Sequence, residues 1–405
     1  MEYVLKDVDF NEVDPETAKT LFIHMIEEGC SAKSVKSMIE RGANVNALDG
    51  TGRTALFYAT NRHVVDALLE AGADLHIRTV DGTSPLHDAI EFDRLEVASS
   101  LIERGLNPDV AENDGWTPLH IAVDNRLENA VSLLLELGAH ANVCQTNGYT
   151  PLHKACEIDH EKIVVDLLSH GANVNAVRDG GWRPLHVAIV NHAQSVIPLL
   201  LEGGAQINAP IDAGDSPLHL AIQAHMTETV QNLLSHDADI HQCRSDHSTP
   251  LIMALQNEDE PMAQLLRAKG VDIDAKSDDG TTALMVALQN GMSDFACTLL
   301  AQGADAEAIN DEGWRPIHFA AFLNDVKALE KLISLGVSLD ATENDGWTPL
   351  HLCAQEGHLE AAQQLLEHGA NPLLRNEDYQ TPADVAEESE QSSFVSLISS
   401  FQESH

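Results

Sequence analysis

Apolar residues come in short bursts along this chain. In ENAVSLLLELG, residues 128–138, Leu133, Leu134 and Leu137 recur at helical spacing and a glycine follows that can adopt the left-handed conformation ending a helix. The stretch predicts a helix with one apolar face. A second kind of burst, T-P-L-H-x-A, opens with Thr or Ser as N-cap and Pro at the first helical position, and predicts a shorter helix ahead of the first. Between the glycine and the next Thr, as in AHANVCQTNGY, the run is too short for a helix and carries Asn-Gly or Asp-Gly, the chemistry of a tight hairpin. Two helices and a hairpin-like finger make one unit.

The units hold a common phase. The nonapeptide ENDGWTPLH stands at 112–120 and again at 343–351, and 343 − 112 = 231 = 7 × 33. The capping position recurs at Thr54, then 30 residues on at Ser84, then every 33 residues to Thr381; a glycine column from Gly42 to Gly369 keeps the same steps, broken once by Asp237. Two independent marks in one phase predict a stacked repeat architecture with one continuous core. The unit TALFYATNRHVVDALLEAGAD lacks three residues between its helices.

Units with D-G-x-T-P-L-H-x-A and with G-A-N-V-N-A, as at 42–47 and 171–176, resemble ankyrin repeats over roughly residues 16–405. The resemblance implies an all-α solenoid of stacked antiparallel helix pairs with β-hairpin-like fingers, a curved rod with a concave binding face. Its expected layout is a leader at 1–15, a degenerate capping repeat at 16–48, ten repeats over 49–375 and a degenerate capping repeat at 376–405. Units about 9–10 Å apart would make such a rod on the order of 100 Å long.

Composition narrows the partners. Sixty-four acidic residues against 23 basic ones give a net charge of −41, a field that repels phosphate backbones and anionic membrane surfaces. Arg244 is the one basic residue between Arg183 and Arg267. Expected partners are proteins with a basic or mixed basic and apolar surface, not nucleic acid or membrane. No window is apolar enough for a membrane helix and the N-terminal stretch lacks a secretory signal pattern, so a cytoplasmic monomer is expected. Six widely spaced cysteines suit reduced thiols.

The position just before the capping Thr holds every tryptophan of the chain, at Trp116, Trp182, Trp314 and Trp347, together with Tyr149. These rings are candidate anchors, since exposed aromatics give large contact area for few rotamers. By the family resemblance, fingers and first helices face the concave side. Phe322 and Leu323 put two apolar side chains where most units are polar, so Trp314, Phe322, Leu323 and Trp347 form the favoured patch. Arg183 and Arg315 replace the capping Thr; each is expected either to stack on the tryptophan beside it or to pair with an acid. Acids at or near the finger tips, among them Asp114, Asp179, Asp215, Asp246, Asp278, Asp311, Glu312 and Asp345, would serve turn chemistry and steer a basic partner.

The histidines of the TPLH motif are read as structural, bonding between adjacent fingers as the resemblance implies. His236, His241, Cys243 and His247 fall within twelve residues, a spacing that can hold zinc; their positions in the repeat argue against convergence, and no metal or cofactor is expected. No phosphate-binding loop, nucleophile elbow or H-E-x-x-H occurs, and the chain is read as non-enzymatic. Two alternatives stand beside an adaptor role. The tail AEESEQSSFVSLISSFQESH is similar to glutamate-rich signals of type IV secretion substrates, which would make the chain an effector working in host cytoplasm. The acidic surface could instead mimic nucleic acid.

Overall fold

The computed structural model describes residues 8–404, so part of the expected leader, residues 1–7, lies outside the described residues, as does His405. Contacts divide the chain into two compact units, one ending at Gln206 and one beginning at Ile207. Twenty-three α-helices occur among the described residues, and no named strand.

Inside a repeat, helices of seven and nine residues alternate, such as Pro118–Asp124 and Glu128–Glu136. Helices this short do not persist alone, so packing must hold them. In the first unit, Pro118–Asp124 lies between Pro85–Glu91 and Pro151–Glu157, while Glu128–Glu136 lies between Leu95–Glu103 and Glu161–Ser169. In the second unit, Pro316–Phe322 and Val326–Ser334 are flanked in the same manner. First helices therefore stack on first helices and second on second. The buried face of Glu128–Glu136 is Ala130, Val131, Leu134 and Leu135. Leu133 and Leu137, expected in that face, are half-buried instead, because the core-facing stripe is rotated toward Ala130. In the short unit one 3-10 turn, Ala55–Tyr58, replaces the first helix.

The fingers are hairpin-like turns without extended strands. Each is closed by two backbone bonds, as from Glu112 N–H to the Trp116 carbonyl at 2.7 Å and from Gly115 N–H to the Glu112 carbonyl at 3.0 Å, and the described residues show only isolated bridges such as Arg178 with Trp182. Between fingers the chain forms a ladder: Asn113 N–H donates to Asp81 O at 3.0 Å, Thr146 to Asp114 at 3.2 Å and Asp179 to Asn147 at 2.8 Å. The approach leaves no room for a side chain at the tip glycine, where a Cβ on Gly148 would stand 2.7 Å from the Val177 carbonyl. The second Asn of G-A-N-V-N works sideways too. Asn142 accepts from Asn173 N–H at 2.6 Å and donates to Gly171 O at 2.8 Å, so one side chain ties two repeats.

A third column, hidden in the sequence, marks the turn between the two helices. Asp93, Arg126, Asp159, His192, His225, Glu258, Asn324 and Glu390 all have positive φ, and only Gly291 and Gly357 fill this position with glycine. An L-residue in that region costs roughly 1–2 kcal/mol. Replacing Arg126 (φ 57°) by glycine is expected to raise stability by about 0.5–1 kcal/mol after the entropy of the unfolded glycine is counted. A urea midpoint shifted upward at constant slope checks this.

At the C-terminal end, Pro382–Glu388 and Ser392–Ser404 form a packed pair with Val385, Ala386, Phe394 and Ile398 buried. No helix among the described residues is long and apolar enough to cross a membrane.

Candidate protein-binding surface

Each finger ends at the residue before the capping position, and at Trp116, Tyr149, Trp182 and Gln380 the carbonyl of that residue is used twice, whereas His219 and His318 bond the Gln242 and Ala341 carbonyls instead. The Tyr149 carbonyl accepts from Gln145 N–H at 2.9 Å and from His120 Nε2 at 3.2 Å; the Trp182 carbonyl accepts from Arg178 N–H at 2.9 Å and from His153 Nε2 at 3.3 Å. On its other side the motif histidine accepts at Nδ1, from Thr117 N–H at 3.3 Å for His120 and from Thr150 N–H at 3.2 Å for His153. The bonds between adjacent fingers are thus present, and they fix one neutral tautomer with the proton on Nε2. Burial pushes the His87, His120, His153 and His318 imidazoles down to about 4, partly offset by the carbonyls they bond.

With the backbone pinned, the five aromatic rings are left half-buried. Each leans on the motif histidine of its own repeat: Trp116 stacks on His120 with centroids 5.2 Å apart, Tyr149 on His153 at 5.5 Å, and Trp347 meets His351 at 5.9 Å. One part of every ring therefore belongs to the fold, and the exposed remainder is available for contact.

The two identical nonapeptides bond differently. Glu112 accepts from the Thr83 hydroxyl of the preceding finger at 2.6 Å, while Asp114 holds Trp116 N–H at 3.0 Å. Glu343 instead curls into its own finger and accepts from Trp347 N–H at 2.8 Å and Asp345 N–H at 3.0 Å. The neighbouring repeat, not the local sequence, sets the difference, since Thr83 offers a hydroxyl where Trp314 offers none.

In the first unit the surface is charged and internally paired. Lys154 bridges Asp124 at 2.9 Å and Glu157 at 3.0 Å, and the Tyr149 hydroxyl donates to Glu157. Burial would raise the Glu157 carboxyl, but the Tyr149 and Lys154 hydrogen bonds hold it below its ordinary value. The Tyr149 phenol is raised by burial and by that carboxylate. The Arg178 guanidinium carbon lies 5.8 Å from the Tyr149 ring centre and 5.2 Å from that of Trp182.

The second unit has an apolar counterpart. Trp314 packs against Phe319 with centroids 4.9 Å apart and meets Phe322 edge-on at 5.8 Å; Phe322 is half-buried and Leu323 is 41% exposed. Of the expected patch, Trp314 and Phe322 are in contact, while the ring contact of Trp347 is with its own His351. Asp311 and Glu312 in the Trp314 finger and Asp345 in the next finger are exposed.

The arginine caps resolve separately. Arg315 pairs with Glu307, the acid alternative, and its own N–H still donates to His318 Nδ1 at 3.0 Å, so half of the capping arrangement survives without a threonine. The His318 N–H that a hydroxyl would take donates to the Arg315 carbonyl at 2.9 Å. Arg183 keeps the same bond to His186 Nδ1 at 3.0 Å and donates to Gly181 O at 3.1 Å. The guanidinium seen over Trp182 is that of Arg178. Asp215, expected among the tip acids, is buried and bonded to Arg244 at 2.6 Å, so it adds nothing to the exposed field. His236 bonds Asn232 O at 2.9 Å and His247 pairs with Asp278; among the described residues no group of three or more His, Cys, Asp or Glu is placed to hold a metal ion.

Sequence reasoning missed Arg178 and Phe319. Both were reachable by aligning two further positions of the repeat, the first finger residue and the residue after the motif histidine.

A family model described as ankyrin repeats (3 copies) matches residues 1–79, 61–143, 137–211, 218–310 and 284–376. An ankyrin repeat protein of Acanthamoeba polyphaga mimivirus is 38% identical over 66 residues, which span 16% of this chain and 9% of that protein. The crystal structure of the ankyrin repeat domain of Bcl-3, described as a unique member of the IkappaB protein family, aligns with 32% identity over 51% of this chain and 94% of that chain, at a TM-score of 0.48.

Proposed function

The chain belongs to the ankyrin-repeat family, whose repeats are protein–protein interaction modules, and from that premise we propose that it is a non-enzymatic scaffold that captures a partner protein on its finger and first-helix side. The observation that carries this reading is the Trp314, Phe319 and Phe322 cluster with exposed Leu323 beside it. A fold needs its Leu and Ala positions filled; it does not need three aromatic rings and a leucine gathered at a partly solvated surface.

The partner's surface is read as basic around an apolar anchor. A chain of net charge −41 with exposed Asp311, Glu312 and Asp345 in the Trp314 and Trp347 fingers favours it, and an association rate that falls with added salt is the expected signature. Trp116, Tyr149, Trp182 and Arg183 belong to a second, weaker surface, because its charges are already satisfied internally. Arg315 serves to hold the Trp314 finger through Glu307. The acid-rich tail is read as part of the stack, supported by the burial of Phe394 and Ile398.

Affinity capture from the source cell, run with the wild-type chain and with Trp314→Ala/Trp347→Ala, tests the proposal. Proteins retained by the wild type and absent from the variant are expected. Identical captured sets, with the variant folded by circular dichroism, would remove the surface from consideration.

A further inference from the structure

The two aromatic surfaces occupy the same positions of the repeat. Since 314 − 149 = 165 = 5 × 33, Tyr149, Lys154, Glu157, Arg178 and Trp182 correspond to Trp314, Phe319, Phe322, Glu343 and Trp347. At the first site the chain supplies its own cation to the two rings: Arg178 lies 5.8 Å from Tyr149 and 5.2 Å from Trp182, and its buried Nε has no hydrogen-bond acceptor, so the rings and the charge of nearby Glu157 are what hold it. At the second site both end rings are kept, but the arginine is exchanged for Glu343. That carboxylate turns back onto Asp345 and Trp347 N–H. Lys154 and Glu157 have become Phe319 and Phe322, and the nearby Arg315 is committed to Glu307. The second site thus keeps the rings of a cation sandwich, supplies an acid in place of the cation, and adds an apolar shelf.

We propose that the Trp314–Trp347 site receives an arginine from a peptide segment of the partner, seated between the two rings as Arg178 is seated between Tyr149 and Trp182, with a large apolar neighbour of that arginine on Phe322 and Leu323. This rests on the protein-binding reading above and names the chemistry it selects. The charge supports it: Glu343 stands at the repeat position of Arg178, and Asp311, Glu312 and Asp345 are exposed in the same two fingers, while arginine, planar and weakly hydrated, stacks on aromatic faces better than lysine.

The test uses the full chain and a phage-displayed library of random dodecapeptides, followed by titration of the selected synthetic peptides. Enriched sequences are expected to place arginine next to Leu, Ile, Phe or Trp. Exchange of that arginine for glutamine should weaken binding about tenfold or more, as expected of a desolvated cation between rings. Glu343→Arg, which rebuilds the self-filled site at a position where Arg178 and Arg244 already stand, should block the peptides while keeping the helix content of the wild type. Trp347→Ala provides a second variant with the same expected loss. Peptides that need Trp314 and Trp347 yet bind as well with glutamine would overturn the arginine inference and leave the binding surface standing. Peptides indifferent to Trp314→Ala/Trp347→Ala would overturn both, and a selection yielding no binder overturns the arginine inference.

Discussion

Acidification from pH 7 to pH 5 is expected to bring the unit ending at Gln206 close to unfolding. His87, His120 and His153 are buried, accept hydrogen bonds at Nδ1, and are pushed by burial down to about 4 from an ordinary value of 6.5. A histidine depressed in the folded state contributes stability in full above pH 6.5, and that contribution is lost as pH falls toward 4. Each imidazole then costs about 2 kcal/mol at pH 5, so three cost on the order of 6 kcal/mol, against a typical domain stability of about 5–15 kcal/mol. Carboxylates titrate mainly below pH 4.5, so the window between 6.5 and 4.5 belongs mainly to the histidines, with Asp88, raised by burial, working against them. His140 opposes the trend because Asp109 raises it, but it is exposed and screened. Urea unfolding at pH 7, 6 and 5 reads the effect. Exchange of His120 for glutamine should remove one proton from the slope, and stability unchanged between pH 7 and 5 would show that the imidazoles are not held neutral by the fold.

Loss of partner binding on replacing Trp314 and Trp347 by alanine is the second large effect. Buried interface tryptophans cost about 2 kcal/mol or more each when truncated, so the pair should weaken binding by roughly a thousandfold. The structural cost is smaller, because both rings are only half-buried and their backbones are held by Asn310 and Glu343, whose bonds to Trp314 N–H at 2.7 Å and Trp347 N–H at 2.8 Å do not involve the ring. Helix content should therefore stay nearly unchanged while affinity collapses.

The fold was legible because it is written many times over. Thr, Pro, Leu, His and Gly each answer a local requirement of capping, helix start, core or turn, and the same requirement returns every 33 residues. What escaped was whatever one repeat asks of the next. Leu133 looks like core by spacing, yet the buried face runs through Ala130, Val131, Leu134 and Leu135. The left-handed turn at Arg126 was invisible because few units spell it with glycine. The site followed the same rule. Tryptophans could be found by position, but Arg178 reaches across to the ring of the preceding repeat, and Glu112 and Glu343, identical in context, part ways according to the neighbour each one meets. Side chains that bridge repeats are set by pairs of positions, and those pairs emerge only when the repeats are stacked.

The most direct measurement is titration of the purified captured partner against two double variants, Trp314→Ala/Trp347→Ala and Trp116→Ala/Trp182→Ala. The first should abolish measurable binding, and the second, whose surface is already satisfied by Arg178, Lys154 and Glu157, should bind nearly as the wild type does. Equal affinity in both, or loss only in the second, would contradict the assignment of function to the Trp314 surface.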